Sequence, residues 1–322
     1  MIRVHSYESM GTFDGPGLRL VVFLQGCNFR CLYCANPDTI DIKGESTETP
    51  IDEIIRMAVS QKAFFGKKGG ITFSGGEPTL QAKALIPLFR RLKEQGIHIC
   101  VDTNGSIWNE DVEELLKLTD LVLLDIKEFN NTRHLQLTER SNEPTLHTAQ
   151  WLEQNDKPFW LRYVLVPGYS SFEEDIHALG NHFKDYRMIQ RVEILPYHTL
   201  GVHKYEAMKK EYRLKGVKEN TPQQLDTAKA LFEKMMSLET IPTLPTILDI
   251  WENNIDTNIN ILDISNLINL LDTLSTTEIK IKMLPGNLIP TGDWVPDNAR
   301  VEQEINDMFP PVPEDTAKDA EE

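Results

Sequence analysis

Three cysteines, Cys27, Cys31 and Cys34, stand in the short segment Gly26-Cys27-Asn28-Phe29-Arg30-Cys31-Leu32-Tyr33-Cys34. The C-x3-C-x2-C spacing lets three thiolates wrap one metal centre, and soft thiolates select zinc or iron–sulfur clusters over hard, oxygen-seeking cations. A structural zinc takes four ligands, usually as paired C-x2-C or C/H knuckles, and no second knuckle follows. A four-iron cluster on three cysteines keeps one iron open, which suits a cluster that binds a substrate. The spacing therefore favours a catalytic iron–sulfur centre. Cys100, the remaining cysteine, sits in HICVD, where a small buried hydrophobe is expected.

The elements that must position this loop are short. Apolar runs rich in β-branched residues, at 18–25, 70–74, 98–102, 121–125, 159–166 and 192–195, alternate with segments of helical period as far as about residue 237. This is the pattern of six βα units around a parallel sheet, an α/β fold. Thr49-Pro50 before IDEIIRMA predicts an N-cap and a proline at the first helical position, and Thr221-Pro222-Gln223-Gln224 predicts a capping box. In such folds chemistry collects at the carboxyl ends of the strands. The six runs end in Gln25-Gly26-Cys27, Gly75-Gly76-Glu77-Pro78, Thr103-Asn104-Gly105, Asp125-Ile126-Lys127, Pro167-Gly168-Tyr169 and Pro196-Tyr197-His198. Any one of these is an ordinary turn, and Asn104-Gly105 alone reads as a hairpin. A Cys, a Glu, a Lys and a His at successive strand ends together point to one site on one rim.

Composition narrows the partners. A net charge of −16 argues against nucleic acid as a partner, since phosphate binding needs clustered Lys and Arg. Residues from Ile241 onward carry −12 of it, leaving −4 for the rest. No stretch approaches the roughly 18 apolar residues of a membrane span, and the start MIRVHSYESMG lacks the features of a secretory signal, so a soluble cytoplasmic protein is expected.

The motif, with an aromatic just before its third cysteine and SGGEP in the next strand's loop, resembles the signature of the radical S-adenosylmethionine superfamily. Longer segments are similar to the pyruvate formate-lyase activating enzymes. These are ESMGTFDGPGLR (8–19), FLQGCNFRCLYCANPDT (23–39), FSGGEPTLQ (73–81), DTNG (102–105), LLDIK (123–127), RYVLVPG (162–168) and LPYHTLGVHKY (195–205). The resemblance implies a partial (β/α)6 barrel over residues 1–240, one [4Fe-4S] cluster on Cys27, Cys31 and Cys34, and S-adenosylmethionine chelated to the open iron. In that family, reductive cleavage of S-adenosylmethionine yields a 5′-deoxyadenosyl radical that takes a hydrogen atom from a glycine Cα of pyruvate formate-lyase. It implies cofactor contacts from Tyr33, Cys34, Ala35, Gly75, Gly76, Glu77, Asp125, Ile126, Lys127 and His198, with no catalytic residue beyond the cluster and the cofactor. A monovalent cation would lie on Asp102, Thr103, Leu123 and Asp125. Two alternatives stay open: Asp102 and Asp125 as helix caps, and Glu77 with Lys127 as a local salt bridge. A flavodoxin is the implied electron donor, and the chain is expected to be a monomer.

Two residues depart from the pattern. Ala35 follows Cys34 where the best-known relatives have His, and Met10 stands where some have Cys. Neither position supplies a cluster ligand. With four cysteines, the chain lacks the extra clusters of many other glycyl-radical activases. An activase of another glycyl-radical enzyme, a small-molecule enzyme of the superfamily and a zinc module remain as alternatives. Residues 241–309 read as an appended α+β fragment, less specifically similar to the closing part of a LytR-CpsA-Psr domain, and the acidic, proline-rich 310–322 as a disordered tail.

Overall fold

The structure, a computed structural model, describes residues 1–236. The expectations for the appended fragment and the acidic tail lie outside the described residues.

Six parallel strands form the frame: β2 (Arg19–Leu24), β4 (Gly70–Gly75), β5 (His98–Thr103), β6 (Leu121–Asp125), β7 (Phe159–Leu165) and β8 (Ile189–Pro196). All six strands expected from sequence are present, with ends shifted by up to three residues. Two strands were not legible. β1 (Ile2–Gly11) and β3 (Thr47–Thr49) extend one edge antiparallel, giving an eight-strand sheet in the order β3-β1-β2-β4-β5-β6-β7-β8. β1 carries His5, Ser6, Glu8 and Ser9 and is only half buried, so its apolar signal is diluted, and three-residue β3 is too short to register. β3 and β8 end the sheet without pairing to each other, so the barrel is partial, as expected.

Helices α1 (Ile51–Ser60), α2 (Ala82–Glu94), α3 (Glu110–Leu118), α4 (Asn131–Thr138), α5 (Glu143–Gln154), α6 (Glu173–Phe183), α7 (Val202–Ala207) and α8 (Pro222–Met236) complete the described residues. Their apolar faces close one core with the outward side of the sheet, through residues such as Leu85, Phe89, Leu115, Leu152 and Leu179. The Thr221–Gln224 capping box forms, with Gln224 accepting from Thr221 N–H at 2.9 Å and Thr221 Oγ1 from Gln224 N–H at 3.3 Å. At α1 the cap differs from expectation: Thr49 ends β3, and Pro50 itself takes the N-cap position in extended backbone. No helix among the described residues is long and apolar enough to cross a membrane.

Inside the barrel polar groups stand beside a small apolar cluster. Arg19, fully buried, donates to Thr72 Oγ1 at 2.5 Å and to the Pro16, Ile71 and His98 carbonyls. Thr72 in turn donates to the Asp14 carbonyl at 2.6 Å. These bonds hold the turn between β1 and β2, with its DGPGLR sequence, inside the lumen and explain that motif structurally. Cys100 is buried beside Leu121, Leu123 and Trp160, the core role expected of it.

Candidate active site

The cysteine loop leaves β2 through Gly26, whose φ of +102° favours glycine. Its backbone is clipped on both sides. Gly26 N–H and Cys27 N–H donate to the Thr39 and Ile40 carbonyls at 2.7 and 3.0 Å. Arg30 N–H and Leu32 N–H donate to Thr138 and Leu137 at the end of α4, at 2.9 and 3.0 Å. Phe29, 1% exposed, anchors the loop edge-on against His134, with ring centroids 5.5 Å apart.

Cys27, Cys31 and Cys34 all line one open cavity of about 520 Å³ at the carboxyl ends of the strands. Around them stand residues from the ends of β4 to β8, including Gly75, Gly76, Asp102, Thr103, Asp125, Lys127 and His198. Tyr33 and Ala35 line it too. The strand ends singled out from sequence therefore meet at one rim, except for Pro167-Gly168-Tyr169, which does not reach the cavity.

Three expected site residues do not line it. Ile126 is 1% exposed, its N–H donating to the Arg162 carbonyl at 2.9 Å, and Leu123 is packed in the lumen. Glu77 is 1% exposed and its carboxylate is consumed locally. Oε1 accepts from Thr79 N–H, Thr79 Oγ1 and Thr103 Oγ1 at 3.0, 2.6 and 2.6 Å, and Oε2 from Asn104 N–H at 2.8 Å. Burial pushes the Glu77 carboxyl up while the hydrogen bonds from Thr103 and Thr79 oppose it. The Glu77–Lys127 salt bridge does not form either. Lys127 Nζ pairs with Asp125 Oδ2 at 2.7 Å and lies 5.9 Å from the centroid of the Tyr33 ring.

The glycines have a different first cause from the one their motif suggests. A Cβ on Gly75 would meet Leu24 N at 2.6 Å, and one on Gly76 would meet the Gly26 carbonyl oxygen at 2.1 Å. Both are required by the close approach of β4 to β2 and the cysteine loop. Their exposure to the cavity follows from that packing.

Sequence reasoning gave no role to Arg162, although it interrupts the otherwise apolar run FWLRYVLV and opens the RYVLVPG segment. It crosses the cavity floor, with Nη1 3.2 Å from Asp102 Oδ1, Nε 3.3 Å from Glu193 Oε2 and Nη2 donating to the Phe13 carbonyl at 3.3 Å. Burial opposes its charge, yet the carboxylates of Asp102, Asp125 and Glu193 hold the guanidinium above its ordinary value. Asp102 also accepts from Ser74 Oγ at 2.6 Å. Asp14, on the neighbouring turn, is pushed up to about 7 by desolvation, partly offset by Arg162.

The residues present fit an iron–sulfur cluster. Burial pushes the Cys27 thiol up to about 12 and raises Cys31 and Cys34 likewise, so ionised sulfur here needs a neighbouring positive centre. The cavity has room for a nucleoside beside a cluster.

Comparison with known proteins agrees. Residues 21–179 match the family model described as the radical SAM superfamily. The chain is 43% identical to the pyruvate formate-lyase 1-activating enzyme of Escherichia coli K12 over 72% of its own length and 95% of that protein. The chain belongs to this family. It is also 46% identical to the pyruvate formate-lyase-activating enzyme of Streptococcus mutans, over 74% of the chain and 91% of the relative. Among solved structures, Streptococcus suis SuiB bound to S-adenosylmethionine superposes with a TM-score of 0.56 at 16% identity, covering 73% of this chain and 52% of SuiB, a likeness of fold alone. Membership of the radical SAM activating enzymes implies one [4Fe-4S] cluster and S-adenosylmethionine as cofactors.

Proposed function

We propose that the chain activates pyruvate formate-lyase by installing a glycyl radical on it under anaerobic conditions. The observation that carries this is the convergence of Cys27, Cys31 and Cys34 with five strand ends on one open cavity, in a chain of the activating-enzyme family. When bound, the reduced cluster and S-adenosylmethionine supply a 5′-deoxyadenosyl radical that takes a hydrogen atom from a glycine Cα of the partner.

The chain's own residues bind and position. Cys27, Cys31 and Cys34 hold the cluster. Gly75 and Gly76 offer backbone at its edge, Tyr33 and Ala35 flank the adenine, and Asp125, Lys127 and His198 line the remaining cofactor wall. The Asp125–Lys127 pair is mostly buried, so it meets a zwitterionic cofactor with little screening by water. A monovalent cation on Asp102, Asp125 and the carbonyl oxygens of Thr103 and Leu123 belongs to the same reading; it would draw Asp102 from Arg162 and Asp125 from Lys127. The protein works as a cytoplasmic monomer, with a flavodoxin as reductant.

The test is to mix the reduced holoprotein and S-adenosylmethionine with pyruvate formate-lyase without oxygen and record electron paramagnetic resonance. A glycyl doublet is expected, and Cys31→Ala should lose both iron and signal. A colourless protein with stoichiometric zinc, or 5′-deoxyadenosine formed without any protein radical, sinks the proposal.

A further inference from the structure

The outer side of the cysteine loop carries a feature the chemistry inside the cavity does not use. Arg30, between Cys27 and Cys31, is exposed, and its Nη1 donates to the Cys27 and Phe29 carbonyls at 2.8 Å each. Arg213 donates from Nη2 to the Arg30 carbonyl at 3.1 Å and from Nη1 to Glu139 Oε1 at 2.9 Å. Arg140 donates to the Glu139 carbonyl at 3.2 Å. Three exposed arginines are thus linked through the Arg30 and Glu139 backbone, and only Arg213 meets a carboxylate, that of Glu139. Arg30 and Arg140 direct their hydrogen bonds to backbone carbonyls, so their charges have no carboxylate partner among the described residues. Leu135, 45% exposed, stands one helical turn before Glu139 on the same side of α4.

This cationic cluster, with exposed Leu135 one helical turn from Glu139, lies in the part of the chain before Ile241, whose net charge is −4. None of Arg30, Leu135, Arg140 and Arg213 lines the cavity. The exposed residues that do line it include Phe13, His198 and Leu200. The patch is one hydrogen bond from the backbone of the cluster ligand Cys27, and electron tunnelling falls steeply with distance. We propose that the Arg30–Arg140–Arg213 face, with Leu135 on the adjoining turn of α4, docks the acidic one-electron carrier protein that reduces the cluster. The step moves one electron: the reduced carrier is oxidised by one and the cluster reduced by one, with no proton or bond change. Opposite charge steers the encounter and sets its salt dependence, while Leu135 supplies the contact that becomes dry. The inference rests on the activating reading above.

The test uses the full-length holoprotein and its Arg140→Glu/Arg213→Glu variant, neither residue touching cluster or cofactor. Formation of 5′-deoxyadenosine is measured with reduced flavodoxin as the acidic carrier, and separately with photoreduced deazaflavin, a small neutral reductant. The expected result is at least a tenfold loss with flavodoxin and loss of its salt dependence, no change with deazaflavin, and recovery with Arg140→Lys/Arg213→Lys. An unchanged flavodoxin rate overturns the proposal, as does an equal loss with both reductants. A glycyl-radical yield that falls with deazaflavin as reductant also overturns it, since the patch then docks the radical acceptor. Absence of 5′-deoxyadenosine from the unaltered protein with deazaflavin would refute the activating reading itself, a result distinct from all of these.

Discussion

Removing the Glu77 carboxylate should damage the fold before it damages cofactor chemistry. Glu77 is 1% exposed and accepts four hydrogen bonds, from the backbone and hydroxyl of Thr79, the hydroxyl of Thr103 and the backbone of Asn104. Glu77→Ala leaves four buried donors without an acceptor. At about 1 kcal/mol or more for each stranded group, tempered by hydroxyl rotation, the loss is about 4 kcal/mol. Glu77→Gln keeps an oxygen for Thr79 and Thr103 but sets an NH2 against Asn104 N–H, costing about 2 kcal/mol. Anaerobic urea unfolding followed by circular dichroism measures both. The carboxylate ties the turn after Gly75-Gly76 to the end of β5, so S-adenosylmethionine affinity should fall with stability, in the order Ala worse than Gln. If Glu77 contacted the cofactor directly, Glu77→Gln would keep full stability and lose binding alone. That outcome, or a loss below about 1 kcal/mol for Ala, would refute the reasoning.

Two further expectations test the packing and the electrostatics. Gly76→Ala drives a Cβ to 2.1 Å from the Gly26 carbonyl and should cost roughly 3 kcal/mol with loss of cluster. Gly168→Ala, at φ +77° but with nothing within 4 Å, should cost only about 1 kcal/mol and spare the iron; equal effects of the two would show that backbone strain, not collision, decides. Glu128, fully buried, is pushed up from 4.5 to about 7, chiefly by desolvation. Its folded state prefers the proton, so its contribution is intact below its ordinary range and is lost as pH rises toward about 7, by up to about 3 kcal/mol. Glu128→Gln should therefore gain on the unaltered protein in unfolding experiments between about pH 5 and about pH 8; a gain in the acidic direction would reverse the sign.

How much was legible depended on the range of the interactions. The C-x3-C-x2-C spacing made Cys27, Cys31 and Cys34 readable as one group because all three thiols sit on one loop. The six parallel strands were readable because buried strands are continuous apolar runs. Half-buried β1 and three-residue β3 gave no such run. Lys127 was found but its partner was not: the residue two positions away, Asp125, takes it, while Glu77 turns toward Thr79, Thr103 and Asn104.

Sequence alone thus determined the parallel α/β frame, the grouping of the three cysteines on one loop and the strand ends that meet at the cavity, since each depends on neighbours along the chain. Only the tertiary structure decided which strand-end residues face the cavity. It placed Arg162 across the floor between Asp102 and Glu193, from three different strands. It showed that Gly75 and Gly76 answer first to the backbone of β2 and the cysteine loop. It also gathered Arg30, Arg140 and Arg213, more than a hundred residues apart at their extremes, onto one face. Such placements arise from packing between distant segments, which no local pattern of residue types encodes.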